Sequence, residues 1–271
     1  MRGDGVKDAE DGDPIALRSP FLYRQFERYL RWYVGRSFHG LRLAEDGKPD
    51  LAEGRPAIVC TNHPSWWDPL IIILAARFCF PDRIGYAPME AAALESYRIF
   101  KRLGVFGVDL DQRQGARRFL HIGGRILDEP GAMLWVTAPG RFQDVRERPL
   151  RLQPGIAHLA KRHPGTLVLP LAIEYPFWNE RYPEVLLRFG APIDAGDFAD
   201  EPTTVLLDHV EHGLAAAMDG LAELSQTRDP SRFETLLAGK VGIGGVYDLW
   251  RRAKAGLRGE RFDAAHEPER R

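Results

Sequence analysis

The chain is short of cysteine, of charge imbalance and of long apolar runs, and each shortage closes off a class of protein. Its 2 cysteines among 271 residues, Cys60 and Cys79, lie in apolar stretches, which fits buried thiols in a reducing compartment better than a disulfide framework. A formal net charge of −1 gives no whole-molecule field that would draw in nucleic acid, so any electrostatic attraction is local. The longest apolar run, Leu70–Ala76, is far below the ~18 residues a membrane-crossing helix needs. Contact with a bilayer, if made, is expected to be peripheral. Near the start, Asp4, Asp8, Glu10, Asp11 and Asp13 face only Arg2 and Lys7, the reverse of a secretory signal's basic start and apolar core. A cytoplasmic protein is expected. No Gly-x-Ser-x-Gly surrounds any of the six serines, which counts against an α/β-hydrolase nucleophile. His209 and His212 stand at helical spacing beside Asp208 and Glu211, but without a His-Glu-x-x-His pattern they read as a polar helix face. No metal and no resident cofactor are expected.

What the chain does have is alternation of strand-like and helix-like segments. Short apolar runs at Ala57–Cys60, Ala132–Thr137 and Thr166–Ile173 read as buried strands, joined by the short strands His39–Leu43, Arg83–Tyr86, Gly104–Val108 and Val185–Phe189. Helical spacing fills Glu90–Lys101, Gln112–Leu127, Pro154–Arg162 and Thr203–Leu224. This alternation predicts an α/β fold, with a mixed, largely parallel sheet flanked by helices. Four parts are expected: a disordered tail over 1–18, an amphipathic helix over 19–38, one catalytic domain over 39–225, and a basic tail over 226–271 that begins with a linker at Gln226–Arg232. In the helix over 19–38, Leu22, Phe26, Tyr29, Leu30, Tyr33 and Val34 recur at helical spacing with Arg24, Arg28 and Arg31 between them. Either it lies in a bilayer interface or it packs on the core. A second such element is expected around Val246–Arg258, where Arg251, Arg252, Lys254 and Arg258 accompany Tyr247, Trp250 and Leu257.

The chemistry is expected at Asn62-His63-Pro64-Ser65-Trp66-Trp67-Asp68, where a buried strand delivers a histidine into a turn and an apolar helix follows at once. Five residues span about 500° of helix, so His63 and Asp68 cannot share a helical face. His63 is therefore placed on the turn, where Asp68 can accept from one ring nitrogen and leave the other free to take a proton from an alcohol. With 8 histidines and 20 aspartates in the chain, the spacing alone says little; the preceding asparagine and the apolar segments on both sides carry the weight. Cys60, three residues before His63, falls on the wrong pleat to share a site with it.

These residues resemble the first motif, Asn-His-x4-Asp, of the glycerolipid acyltransferases, the family that includes the lysophosphatidic acid acyltransferases. The resemblance covers roughly residues 40–200. It implies a His63 base, oriented by Asp68, that activates an acceptor hydroxyl against a fatty acyl thioester, either acyl-CoA or an acyl carrier protein. The implied partners are thus a lipid acceptor at a membrane surface, facing the cytoplasm, and the acyl donor. In the family's second motif an apolar strand ends in an arginine that binds the acceptor phosphate; here Leu110 stands there, between Asp109 and Asp111, with Arg113 shortly after. The third motif, Phe-Pro-Glu-Gly-Thr-Arg, is represented by Ala138-Pro139-Gly140-Arg141-Phe142, with Pro139 at the glutamate. The fourth, an apolar strand around a proline, is kept as Val168–Ile173. The proton-transfer elements match and the phosphate elements do not.

The expectation is an acyltransferase whose acceptor is not a glycerol phosphate but a glycolipid, a glycosylated isoprenoid or another hydroxylated lipid. Asn62, Arg113, Gly140 and Arg141 are the expected substrate-binding residues, and amides near Gly140 the candidate oxyanion donors. One alternative is a 1-acylglycerol-3-phosphate acyltransferase whose phosphate site is rebuilt from Arg113, Arg141, Arg146 or Arg148. A lipid hydrolase and a non-catalytic lipid-binding relative are the others.

Overall fold

A computed structural model describes residues 12–109 and 112–242. Its elements are α1 (Pro14–Leu17), α2 (Pro20–Ser37), β1 (Gly40–Ala44), β2 (Ala57–Thr61), α3 (Asp68–Cys79), β3 (Ile84–Glu90), α4 (Ala91–Ser96), β4 (Val105–Val108), α5 (Arg113–Asp128), β5 (Ala132–Thr137), α6 (Gly155–Arg162), β6 (Leu167–Glu174), β7 (Glu184–Phe189), β8 (Ile193–Asp194), α7 (Thr203–Thr227) and β9 (Phe233–Ala238). One sheet runs in the order β4-β3-β5-β2-β6-β7-β1-β9, with β8 beside β6. The pairs among β4, β3, β5, β2 and β6 are parallel, as is β1 with β7, whereas β6–β7, β6–β8 and β1–β9 are antiparallel.

The central strands are buried on both faces, and their side chains divide by the two-residue period of a strand. Ile58 and Cys60 of β2 pack into the layer of α5, α6 and α7; Ala57 and Val59 pack into the layer of α2 and α3. In α3, every residue from Leu70 to Ala76 is buried, as an apolar run without a polar face requires.

This topology fixes where a site can form. The chain leaves β2 through α3 on one face and leaves β5, its parallel neighbour, towards α6 on the other. Connections that diverge in this way open a crevice beyond the carboxyl ends of adjacent strands. Both the His63 turn and the loop over 138–152 emerge there, held together by the Ala138 N–H donating to the Thr61 carbonyl at 2.8 Å.

Three expectations are corrected. The stretch expected as a linker and tail contains the last two residues of α7 and then β9, which pairs with β1 and extends the sheet; only Phe233 of β9 is buried, so the apolar signal of a core strand is missing. The helix expected over Glu90–Lys101 is interrupted at Tyr97 (φ −123°, ψ 55°), where α4 ends and a 3-10 turn, Arg98–Leu103, begins. Within the segment read as disordered, Pro14–Leu17 forms a helical turn, tied down by Asp13 through Arg125 (2.7 Å). The helix expected around Val246–Arg258 lies outside the described residues, as do Leu110 and Asp111. Among the described residues, no helix is long and apolar enough to cross a membrane.

Candidate active site

His63 sits on the turn between β2 and α3, and Asp68 is the first residue of α3, with no solvent exposure. The ring Nδ1 lies 2.6 Å from Asp68 Oδ2. That oxygen also accepts the Ser65 N–H at 3.0 Å, while the Ser65 carbonyl accepts the Asp68 N–H at 3.1 Å. The turn is thereby closed on itself. With Nδ1–H donating to the carboxylate, Nε2 carries the free lone pair, which is the tautomer a base needs.

Two neighbouring strands complete the arrangement. Asn62, almost fully buried, spends its side-chain amide on the backbone of Ile173 at the end of β6, donating to the carbonyl at 2.9 Å and accepting the N–H at 2.8 Å. It is a clamp between strands. Two residues beyond the clamp, the Tyr175 hydroxyl donates to Asp68 Oδ1 at 2.6 Å. From the loop after β5, the Gln143 N–H donates to the His63 carbonyl at 2.9 Å, and the Phe142 ring lies 4.3 Å from the imidazole, tilted by 32°. Phe142 remains 59% exposed. It forms an aromatic wall beside the base.

Gly140 occupies the left-handed region at φ +67°, and a Cβ there would come within 3.0 Å of Gln153, so the position is built for glycine. Its N–H is committed to the Thr137 carbonyl at 3.0 Å, and Pro139 has none. Arg141 points along the surface, ion-paired to Glu147 and donating to the Phe142 carbonyl at 3.3 Å; that pairing raises the guanidinium's pKa and lowers the carboxyl's. Arg146 is engaged by Asp144 at 2.8 Å, and Arg148 by Asp219. Arg113 opens α5 behind β4, three strands from β2, on the order of 14 Å at the usual strand spacing. The structure brings His63, Asp68, Gly140 and the Arg141 backbone together and leaves Arg113 apart. His212 bonds the Asp208 carbonyl at 2.6 Å, and His209 packs on Phe198.

The sequence reading missed Tyr175, Phe142 and Gln143. Phe142 and Gln143 follow the motif glycine directly and were findable by extending the loop. Tyr175 had no signal beyond its place just past the fourth-motif strand.

Around the site the apolar surface is aromatic. Trp66 is exposed and meets Trp67 at 5.7 Å; Trp67 meets Tyr33 of α2 at 5.2 Å, and Tyr33 stacks on Tyr29 at 5.6 Å. Leu30 and Val34 bury the opposite face of α2 in the core. That helix therefore packs inward and also displays Phe21, Tyr29 and Trp32 outward.

Residues 42–174 match the family model described as Acyltransferase. Among solved structures, the chain is similar to the 1-acyl-sn-glycerophosphate (LPA) acyltransferase PlsC from Thermotoga maritima, with 17% identity, a TM-score of 0.49, and coverage of 76% of this chain and 78% of that one. No curated protein matches. The matched segment, just under half of the chain, runs from within β1 to the end of β6 and contains the whole His63 turn and the loop beside it, and it is this segment that is similar to the Acyltransferase family.

Proposed function

We propose that the protein moves a fatty acyl group from an acyl thioester, acyl-CoA or acyl carrier protein, to a hydroxyl of a lipid acceptor, with His63 as general base and Asp68 as its orienting counter-charge. The observation that carries this is the 2.6 Å contact between His63 Nδ1 and a fully buried carboxylate, which leaves Nε2 as the ring nitrogen available to take a proton. Nε2 takes the hydroxyl proton as the acceptor oxygen attacks the thioester carbonyl. The tetrahedral intermediate then collapses, the C–S bond breaks, and the imidazolium returns the proton to the departing thiolate. No acyl-enzyme is needed. Since Gly140's N–H is occupied, the amides of Arg141 and Phe142, which donate to no protein acceptor among the described residues, are the candidate oxyanion donors.

The acceptor reading follows from what stands beside His63. A phosphate acceptor calls for an unencumbered cation; here the neighbour is Phe142, and Arg141 is engaged by Glu147. A neutral headgroup, as in a glycolipid, a glycosylated isoprenoid or another hydroxylated lipid, fits this wall. The second reading, 1-acylglycerol-3-phosphate acylation, rests on Arg141, because its pair with Glu147 is exposed and solvent-screened and therefore weak, so that a phosphate can displace Glu147 from it.

The same reading places the protein on a membrane. On α2, Phe21, Tyr29 and Trp32 are exposed together with Arg24, Arg28 and Arg36 and no exposed acid, the composition of a helix face that meets anionic headgroups. The ring contacts from Tyr29 to Trp66 carry that face up to the His63 turn. Binding to anionic but not zwitterionic vesicles, weakened in Trp32→Ala, tests it.

The central test measures transfer from labelled acyl-CoA and acyl carrier protein to lysophospholipids, glycolipids and hydroxylated isoprenoids, beside His63→Ala. Transfer to a neutral acceptor, lost in the variant, is expected. Preference for lysophosphatidic acid overturns the acceptor reading; full activity of His63→Ala overturns the base.

A further inference from the structure

We infer that Tyr175 is a positioning residue for the His63–Asp68 pair, its hydroxyl holding the far oxygen of the carboxylate and so setting both the direction and the basicity of the group on which His63 leans. The inference rests on the general-base reading above. A carboxylate held at one oxygen can turn about its last torsion. Asp68 is held at both, by His63 and Ser65 on Oδ2 and by Tyr175 on Oδ1, so the direction of the lone pair offered to Nδ1 is fixed by three donors from two chain segments.

The location of Tyr175 is itself fixed. The Asn62 clamp holds Ile173 two residues before it, and Phe38 packs against its ring at 5.8 Å, with Trp67 in turn against Phe38 at 4.8 Å. The phenol is favoured in its protonated, donating form, because burial, and then the adjacent Asp68 charge, push its pKa well above the ordinary value. The charged and titratable groups around His63 are Asp68 on α3, Tyr175 beyond β6, the Arg141–Glu147 pair on the loop after β5, and, past Phe38, the His39–Glu184 pair. Of these, Asp68 bonds the ring directly. A phenol that draws charge from Oδ1 leaves less of it for the imidazole, so its removal makes His63 a stronger base and its carboxylate less well aimed.

The test is Tyr175→Phe, which keeps the ring and removes the hydroxyl, alone and in an Asp68→Asn background, with folded fraction measured by near-UV circular dichroism. We expect kcat per folded molecule to fall about ten-fold, KM to stay within about two-fold, and the ascending limb of the kcat/KM pH profile to move up by roughly half a unit or more. In the Asp68→Asn background the same change is expected to cost less than about two-fold, because the hydroxyl then has no carboxylate to act through. An unmoved limb, an equal cost in both backgrounds, or a loss explained wholly by the folded fraction overturns the inference while leaving His63 as base. Full activity in His63→Ala overturns both.

Discussion

Replacing Asp68 by asparagine separates charge from shape at the centre of the site. The carboxylate accepts three hydrogen bonds, at 2.6 Å from His63 Nδ1, 3.0 Å from Ser65 N and 2.6 Å from the Tyr175 hydroxyl. In Asp68→Asn the amide oxygen is held towards Ser65, whose N–H has no other acceptor in the turn, and it still accepts from Nδ1. The Tyr175 hydroxyl can rotate to accept from the new NH2 group. Geometry and tautomer thus survive, and what is lost is a negative charge centred about 4 Å from the imidazolium that forms as the proton moves. At an effective dielectric of about 20, that attraction is worth roughly 4 kcal/mol, or about three powers of ten in rate. Because that charge acts on the imidazolium that forms in the transition state, the loss falls on kcat and not on KM. The assay is steady-state thiol release from acyl-CoA in the presence of acceptor, with thermal unfolding as the check on folding. If Asp68→Asn keeps more than about a tenth of the wild-type kcat/KM, Asp68 is not the counter-charge and the mechanism falls.

Asn62→Ala leaves the buried N–H and C=O of Ile173 without their partners; at ~1–3 kcal/mol per orphaned group, a loss of roughly 2–6 kcal/mol in denaturant unfolding is expected. Phe142→Arg puts a cation beside His63, which disfavours the imidazolium and should move the ascending limb of the pH profile down while raising turnover of phosphate-bearing acceptors relative to neutral ones; no change in acceptor preference counts against the wall argument. Glu174 is held above its ordinary pKa by burial, with the Ser225 hydroxyl opposing this through a hydrogen bond. Its contribution to stability is therefore full below the ordinary carboxylate range and lost as pH rises through the raised value, so Glu174→Gln should melt higher than wild type at neutral pH and equally in acid. Cys60 and Cys79 are buried, and burial pushes the Cys79 thiol up to about 12 and Cys60 higher still; a thiol reagent at pH 8 should find none in minutes and two after unfolding, and one fast native thiol would revive a cysteine nucleophile.

What was legible in the sequence is what the chain brings together over a few residues. Asn62, His63 and Asp68 lie within one strand, turn and helix start, and the apolar runs on either side fixed each element. Ala132–Thr137 was read to its ends because a strand buried on both faces is apolar throughout. β9 was not legible, because an edge strand buries one face only and Phe233 is its sole buried residue. The break at Tyr97 escaped notice because nothing in Glu90–Lys101 is a proline or glycine; the chain turns there to bury Phe100 and Leu103 beside β4. Asn62 has a structural task that its sequence context does not announce. Its place beside His63 suggests a substrate ligand, and only the β2–β6 pairing shows that its amide bonds the Ile173 backbone.

The same pairing explains why Tyr175 could not be found from the sequence. It lies 107 residues from Asp68, and it reaches the carboxylate only because β6 is inserted beside β2 in register, with Thr61 opposite Leu171. A shift of one residue would turn its side chain to the other face. The Asn62 bonds to Ile173 forbid that shift, so one residue of the first motif sets where a residue beyond the fourth will stand. The proton-transfer unit therefore extends past the local turn to the ends of two strands, and the base is only as well aimed as the register between them. That coupling is why loss of Asn62 should lower turnover in the molecules that still fold, by releasing Tyr175 from Asp68, and why Asn62→Ala and Tyr175→Phe should cost less together than the product of their separate effects.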